Sequence, residues 1–206
     1  RNLVHILYRT IKPMLLVGES IASQKRAYSI LEALLEIHGA TLFENEAKQS
    51  ILEVISNSLM SCHVSARNMR LRCMESLLKQ ISSGGTPSTN NSDGLKEGGG
   101  MELSSKEDCQ TDILNAADMV LAEVLVCQKD NNAKTRESAK NLLSIFVSPV
   151  QWNDMFTRLC GALVSDTAVM RSSSIISICQ LFTKYRYDHN VHMSLINLLD
   201  TVLLLL

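Results

Sequence analysis

Aromatic side chains are scarce in this sequence: they make up 4% of its 206 residues, although hydrophobic residues make up 46%. The apolar residues are therefore mostly Leu, Ile, Val, Ala and Met. This composition favours helices packed on helices over sheets of aromatic and β-branched strands. The formal net charge is −1, so no overall basic field indicates nucleic-acid binding.

The sequence also contains no membrane-spanning segment and no closely spaced pair of cysteines. The apolar stretch at 195–206 is too short to cross a bilayer and contains Asp200, so we expect no membrane partner. The six cysteines are scattered and mostly lie in apolar helical runs, which predicts buried thiols in a reducing compartment. The chain starts at "RNLVHILY" without Met and stops at "VLLLL", so we expect a segment of a longer protein.

Catalytic and ligand-binding motifs are not found either. The sequence has no phosphate-binding loop, dinucleotide fingerprint, nucleophile elbow or HExxH zinc motif. His189 and His192 could share a helical face, but no second ligand pair stands nearby to complete a zinc site. Paired carboxylates in "ENE" and "KED" stand in helix first turns or loops, where acids are favourable without catalysis. We therefore expect no enzyme activity, metal, cofactor or small-molecule substrate.

Helical periodicity dominates what is present. Nine apolar-periodic segments predict about nine helices, with a kink or break near Pro13 and a helix end at Gly39. Residues 83–105 are rich in Gly, Ser, Thr and Asn and are acidic, which predicts a disordered low-complexity insert. We therefore predict an all-α fold with helical repeats at 1–82 and, continuing the same array, at 106–206.

Four helix starts share an arginine at the fifth position of a short window: "ASQKR", "ARNMR", "NAKTR" and "TAVMR". The arginines are 44, 66 and 35 residues apart, and removal of the insert brings the middle spacing to about 43. Periods of about 40–47 residues with two helices each are typical of HEAT and armadillo arrays. The pattern predicts an α-solenoid of antiparallel helix pairs. The four residues are Arg26, Arg70, Arg136 and Arg171.

The positive end of a helix dipole disfavours cations, so these arginines need a partner outside their own helix. We interpret them as structural side chains that reach back to carbonyls or an acid of the preceding turn, such as Asp130 or Asp166. For the neighbouring cations, a solvated face and a contact surface both stay open. In the second case they would bind RNA phosphates or acidic partners. This candidate RNA- or partner-binding surface comprises Lys25, Arg67, Arg72, Lys134 and Lys140.

Four segments, taken in order, carry a family resemblance: "LYRTIKPML", "SQKRAYSILEALLE", "RLRCMESLLKQIS" and "AKTRESAKNLLSIF". Their order and spacing resemble the middle HEAT-repeat region of the ribosomal RNA-processing protein 12 family, over nearly the whole chain except the insert. The matching positions are residues 24–28, 30–32, 70–74 and 135–145. The insert and the polar stretch "RSSSIIS" depart from the family pattern.

The resemblance implies a large non-catalytic α-solenoid of the nucleus and nucleolus that attaches to precursors of the small ribosomal subunit. Its implied partners are small-subunit precursor rRNA, assembly factors and neighbouring helical repeats of the same longer chain. Its implied roles are rRNA maturation and nuclear export, and it assigns no catalytic or ligand residue to this sequence. Two other interpretations stay open, namely an importin-like transport receptor and a cytosolic solenoid scaffold.

Overall fold

The computed structural model describes five stretches of the chain and two single residues near its end. Residues 83–101 of the predicted insert lie outside them, as does most of the ninth predicted helix at 189–206. The last four residues of the predicted insert are helical, because a helix begins at Glu102 rather than after residue 105. The described residues are 2–16, 20–43, 48–82, 102–147, 152–189, Met193 and Ile196.

Every regular element in these described residues is helical, which confirms the all-α prediction. The described part of the chain contains eight α-helices, and two short 3₁₀ turns, Ser58–Ser61 and Val64–Ala66, connect the third helix to the fourth. The helices are α1 Asn2–Leu16, α2 Ile21–Phe43, α3 Lys48–Asn57, α4 Arg67–Ser82, α5 Glu102–Cys127, α6 Ala133–Phe146, α7 Trp152–Leu163 and α8 Ala168–Lys184.

The chain divides into two compact units, Arg1–Ala116 and Ala117–Leu206. In the first unit, α2 packs against both α1 and α4, and α3 packs against α4. The inner face of α2 carries Tyr28, Leu31 and Leu35, which recur at helical spacing and are fully buried. The apolar stripe that the sequence displays is therefore the face that forms the core of this unit.

The second unit contains the later part of α5 together with α6, α7 and α8. Helix α7 packs against α8. The core of the second unit includes Val124 from α5, Leu142 and Phe146 from α6, and Leu159 from α7, all without exposed surface. Aliphatic side chains from successive helices thus supply most of the buried area, as the shortage of aromatic residues predicts.

The side of helix α8 that is buried in the second unit carries serine residues. Ser173 and Ser177 have no exposed surface, whereas Ile175 and Ile176 are 54% and 40% exposed. The side chain of Gln128 donates a hydrogen bond to Ser177 Oγ at 2.9 Å. The stretch that departs from the family pattern therefore contributes buried hydroxyl groups to the second unit and leaves its aliphatic side chains outside.

The two predicted helix interruptions have different outcomes. Helix α1 continues past Pro13 for three residues without a break. Helix α2 consists of two helical stretches joined across a kink at His38, where φ is −127° and ψ is 22°, and the second stretch continues to Phe43. Gly39 is buried because α2 and α4 approach closely there: a Cβ at this position would lie 3.0 Å from Cδ of Gln80. Gly39 therefore allows close packing, and it also directly follows the kink at His38, where the first helical stretch of α2 ends.

The five cysteines whose side chains the structure describes are free thiols. Cys73, Cys127 and Cys160 are buried as expected, but Cys62 is half-buried and Cys179 is exposed. Burial raises the pKa of the Cys73 thiol and raises that of Cys160 to about 11, so both stay protonated at neutral pH. These buried thiols act as small apolar groups in the packing.

Within the described stretches, no helix combines the length and the hydropathy that a membrane crossing requires. The same residues contain no group of three or more His, Cys, Asp or Glu side chains that could hold a metal ion. Of the two histidines considered above, His189 is exposed, and His192 lies outside the described residues.

Candidate interaction surface and turn arginines

The turn before α6 is built from hydrogen bonds that prepare the start of the helix. Asp130 Oδ1 accepts from the backbone N–H of Asn132 at 2.8 Å, and Asn132 Oδ1 accepts from the N–H of Lys134 at 2.9 Å. Asn132 thereby caps α6. Arg136 folds back over this turn, and its Nη1 donates to the carbonyls of Asp130, at 2.7 Å, and Asn131, at 3.0 Å. The cation near the helix start thus has backbone partners in the preceding turn.

Arg171 makes the same contact at the start of α8. Its Nη1 donates to the carbonyl oxygens of Ser165, at 2.6 Å, and Asp166, at 3.0 Å. In both cases the acceptors lie six and five residues before the arginine, and the two arginines are 35 residues apart. The starts of α6 and α8 therefore share this arginine contact, although only α6 has a side-chain cap.

We expect Arg136→Met to lower the free energy of unfolding by about 1 to 2 kcal/mol, because two turn carbonyls lose a charged donor while the apolar stem is kept. Lys134→Met is the matched control: its side chain is exposed on the same helix start, and it should change stability by less than about 0.5 kcal/mol. Urea denaturation followed by far-UV circular dichroism measures both variants. Equal effects would remove the structural role assigned to Arg136.

Arg70 makes the deepest contact of the four arginines, at the start of α4, where the residue is 1% exposed. Its Nε donates to the Ile55 carbonyl at 2.9 Å and to Ser58 Oγ at 3.2 Å, and its Nη2 donates to the Ser56 carbonyl at 3.3 Å. These acceptors lie 12 to 15 residues earlier, at the end of α3 and in the first 3₁₀ turn. The longer connection between α3 and α4 explains this longer reach.

Ser58 joins Arg70 to the core side of α2. The Tyr28 hydroxyl donates to Ser58 Oγ at 2.9 Å, and Ser58 Oγ donates to the Ile55 carbonyl at 2.7 Å. Burial raises the pKa of the Tyr28 phenol far above its usual value, so the hydroxyl stays a protonated donor. The Cys73 thiol donates to the Tyr28 carbonyl at 3.1 Å. Tyr28, Arg70 and Cys73, which are among the residues that carry the family resemblance, thus belong to one buried network.

Arg26 does not repeat this arrangement, because it is exposed and its guanidinium makes no hydrogen bond or ion pair with the described residues. Gln24, two residues earlier, is fully buried and connects α2 to the 3₁₀ turns. Its Nε2 donates to the Ser61 carbonyl at 2.8 Å, and its Oε1 accepts from the backbone N–H of His63 at 2.8 Å. The sequence signal for Gln24 was a polar residue four positions before Tyr28, on the apolar stripe of α2.

Three members of the candidate cation set lie in the first unit, where Lys25 and Arg67 are half-buried and Arg72 is exposed. Arg72 pairs with Glu32 of α2, with an Nη2···Oε1 distance of 2.6 Å. Burial raises the pKa of the Glu32 carboxyl, and the neighbouring guanidinium of Arg72 limits this rise. Arg72 therefore already neutralises a poorly solvated acid, which weakens the case for it as a phosphate ligand.

The other two members, Lys134 and Lys140, are exposed on α6 in the second unit. They are six residues apart, which places them about 120° apart around the helix axis, with exposed Glu137 between them. Neither ammonium group has a hydrogen bond or ion pair within the part of the chain that the structure describes. Both are accessible to a partner, but they lie on different sides of α6 and do not form one stripe.

A groove of about 330 Å³ lies among α5, α7 and the start of α8 in the second unit. Asp118 and Arg158 line it as a two-pronged ion pair, with Nε···Oδ1 at 2.5 Å and Nη2···Oδ2 at 2.9 Å. The Arg158 guanidinium lowers the pKa of the Asp118 carboxyl, so the pair stays ionised at neutral pH. The remaining lining, including Leu121, Gly161 and Met170, is mainly small or apolar. Sequence periodicity did not identify this groove, because its walls come from three different helices.

Comparison with known proteins gives one informative similarity. No family model matches the sequence, and no solved structure matches the chain. An RRP12-like protein from Gallus gallus is 25% identical to the chain over 210 residues, an alignment that covers 97% of the chain. The chain is similar to an RRP12-like protein. It spans 14% of the length of that relative, and the similarity extends through both units.

Proposed function

We propose that this chain is a HEAT-type helical-repeat segment of a non-catalytic scaffold protein that acts in ribosome biogenesis. The observation that carries this proposal is the similarity to an RRP12-like protein over 97% of the chain. The family resemblance of the sequence segments points to the same class of protein. The regular elements of the described residues are all helical, which a helical repeat requires.

The α-solenoid part of the proposal is supported by the turn arginines. Arg136 and Arg171 donate to carbonyls at equivalent positions of the turns before α6 and before α8, which are one helix pair apart, as a structural repeat predicts. In the first unit Arg70 and Gln24 satisfy carbonyls and amides of the connection between α3 and α4 instead. Degenerate repeats differ in this way, because each turn has its own length while each helix start still needs polar partners.

The buried network around Tyr28 gives the resemblance a physical basis. Cys73 bonds the Tyr28 carbonyl, and Arg70 and the Tyr28 hydroxyl share Ser58. Substitution of Arg70 would remove a charged donor from the buried Ile55 carbonyl and from Ser58 Oγ. The residues that carry the resemblance therefore contact one another in the structure, which supports reading the segments as related.

The proposed role is to attach to small-subunit precursor particles in the nucleus and nucleolus, and to support rRNA maturation and nuclear export. Lys134 and Lys140 are its candidate contacts, since both are exposed and neither has an ion pair within the described residues. Lysine contacts to phosphate position a protein on RNA without reading its sequence. Specificity for the particle would then come from assembly factors and from other repeats.

Affinity purification of the protein from nuclear extract, with sequencing of the co-purified RNA, tests this role. The expected result is enrichment of small-subunit precursor rRNA together with assembly factors. Recovery of a small GTPase and nucleoporins without ribosomal RNA would replace the proposal with an importin-like transport receptor. Exclusion of the protein from the nucleus would replace it with a cytosolic scaffold.

Charge reversal at the two exposed lysines of α6 is expected to weaken association with the particle. We expect Lys134→Glu combined with Lys140→Glu to reduce recovery of precursor rRNA about fivefold, because two phosphate contacts become repulsive. Lys79→Glu combined with Lys129→Glu is the control, since it changes net charge equally outside the candidate set. Recovery of precursor rRNA would be measured by quantitative reverse transcription. Equal recovery from both double variants would show that total charge, and not this surface, matters.

A further inference from the structure

In the turn after α8, cations and tyrosines alternate along the chain. None of these residues belongs to the turn arginines or to the candidate cation set. Helix α8 ends at Lys184, and Tyr185, Arg186 and Tyr187 follow. The Arg186 guanidinium carbon lies 4.6 Å from the centroid of the Tyr187 ring, and Lys184 Nζ lies 5.0 Å from the centroid of the Tyr185 ring. We call residues 184–188 the Tyr187 turn.

The two tyrosines have different surroundings. Tyr185 is half-buried, and its hydroxyl donates to the Val147 carbonyl at 2.7 Å. Tyr187 is 87% exposed. Backbone hydrogen bonds fix the turn between them: Tyr185 N–H donates to the Leu181 carbonyl at 2.9 Å, and Asp188 N–H donates to the Tyr185 carbonyl at 2.9 Å. The backbone that carries the exposed Tyr187 ring is therefore already ordered, so binding of a ligand to this ring costs less conformational entropy.

We propose that the Tyr187 turn binds single-stranded RNA, with an unpaired base stacked on the face of Tyr187 opposite Arg186. Lys184 and Arg186 neutralise the neighbouring phosphates. An exposed aromatic ring next to a guanidinium is how proteins accept unpaired bases, and stacking tolerates any base because every base has a π-face. The inference rests on the proposed function, which supplies RNA as the partner.

The chemistry of the turn favours nucleic acid over an acidic peptide. An acidic peptide would use the two cations but would leave the exposed ring without a role. A nucleotide uses both, since its base needs a planar apolar surface and its phosphate needs a cation within a few ångströms. Asp188 is the single acid among residues 184–189, so the segment carries a local excess of positive charge. One stacked base and two phosphates predict weak binding by this turn alone.

Fluorescence anisotropy of a labelled, unstructured RNA oligonucleotide with the 206-residue chain tests the proposal. We expect Tyr187→Leu to weaken binding about tenfold, because it keeps apolar bulk but removes the π-face, and Tyr187→Phe to keep affinity within about twofold. Lys184→Gln should make the plot of log affinity against log salt shallower by about 0.7. Lys12→Gln is the matched control: Lys12 lies 5.9 Å from the ring centroid of Tyr8, whose ring is buried and offers no stacking face.

Three competing ligands, namely duplex RNA, DNA and an acidic peptide, test whether the Tyr187 turn prefers single-stranded RNA. Duplex RNA, whose bases are already stacked, should bind more weakly than the single strand, and DNA of the same sequence shows whether the 2′-hydroxyl contributes. Wild-type affinity in Tyr187→Leu, or displacement of the RNA by a poly-glutamate peptide with equal affinity, would overturn the inference. Different results contradict the two proposals. If the chain binds RNA but precursor particles are not recovered from nuclear extract, the proposed function is wrong. If particles are recovered equally with Tyr187→Leu and the chain alone does not bind RNA, the Tyr187 turn is not an RNA site.

Discussion

Replacement of Arg70 by methionine is expected to lower the free energy of unfolding by about 3 to 5 kcal/mol. Methionine fills most of the space of the arginine stem, so the loss is mainly polar. The carbonyls of Ile55 and Ser56 and the hydroxyl of Ser58 would all lose a charged donor in a site where Arg70 is 1% exposed. Water enters such a site poorly, so the acceptors would stay incompletely satisfied.

The matched control for Arg70 lies two residues further along the same helix. Arg72→Met removes an equal charge from an exposed side chain and leaves the poorly solvated Glu32 carboxyl without its partner, so it should cost about 1 to 2 kcal/mol. Arg70→Lys should fall between the two, because the ammonium keeps the charge but lacks the planar fork. Urea denaturation of the three variants under identical buffer measures the order. A smaller effect for Arg70→Met than for Arg72→Met would contradict the buried network.

The fold class was predictable because it depends on side-chain spacing within single helices. Tyr28, Leu31 and Leu35 repeat at helical spacing, and the structure buries all three. The interruptions were only partly predictable. The kink of α2 lies at His38, beside the glycine that the sequence indicated as a helix end, but α1 continues past Pro13. The missing Cβ of Gly39 also accommodates Gln80 of α4, and this second role depends on the packing partner and not on the sequence of α2.

Helix α8 shows the limit of periodicity most clearly. Its sequence contains aliphatic and hydroxyl residues side by side, within the stretch that departs from the family pattern. The structure buries Ser173 and Ser177 and exposes Ile175 and Ile176. Serine is small enough for close helix contact, and Gln128, in the turn after α5, offers Ser177 a hydrogen bond. That hydrogen bond depends on a residue outside α8, so the sequence of α8 alone does not specify which side faces inward.

The sequence indicated which residues are candidates, but not which residues they contact in the structure. An arginine near a helix start suggested a contact with the preceding turn, and Arg136 and Arg171 lie in that geometry. The same signal gave no distinction between exposed Arg26 and buried Arg70, because their depth depends on how far the preceding connection reaches. The pairing of Arg72 with Glu32 joins residues 40 positions apart, which spacing within one helix does not reveal.

Gln24→Leu is expected to lower the free energy of unfolding by about 2 to 4 kcal/mol, although leucine is a similar size and better suited to an apolar core. The side chain is fully buried, and its amide satisfies both the Ser61 carbonyl and the His63 N–H. Leucine would leave both backbone groups without these partners. Gln49→Leu is the control, because Gln49 is exposed on α3 and should change stability by less than about 0.5 kcal/mol.

Gln24 and Arg70 act on the same connection, since Arg70 bonds its first part at Ile55 and Ser58, and Gln24 bonds its later part at Ser61 and His63. Once either side chain is removed, the connection can detach from α2 and α4, and the other side chain then has less to stabilise. We therefore expect the double variant Gln24→Leu with Arg70→Met to be less destabilised than the sum of the single variants, by about 1 kcal/mol or more. Strict additivity would mean that the two side chains stabilise separate pieces of structure.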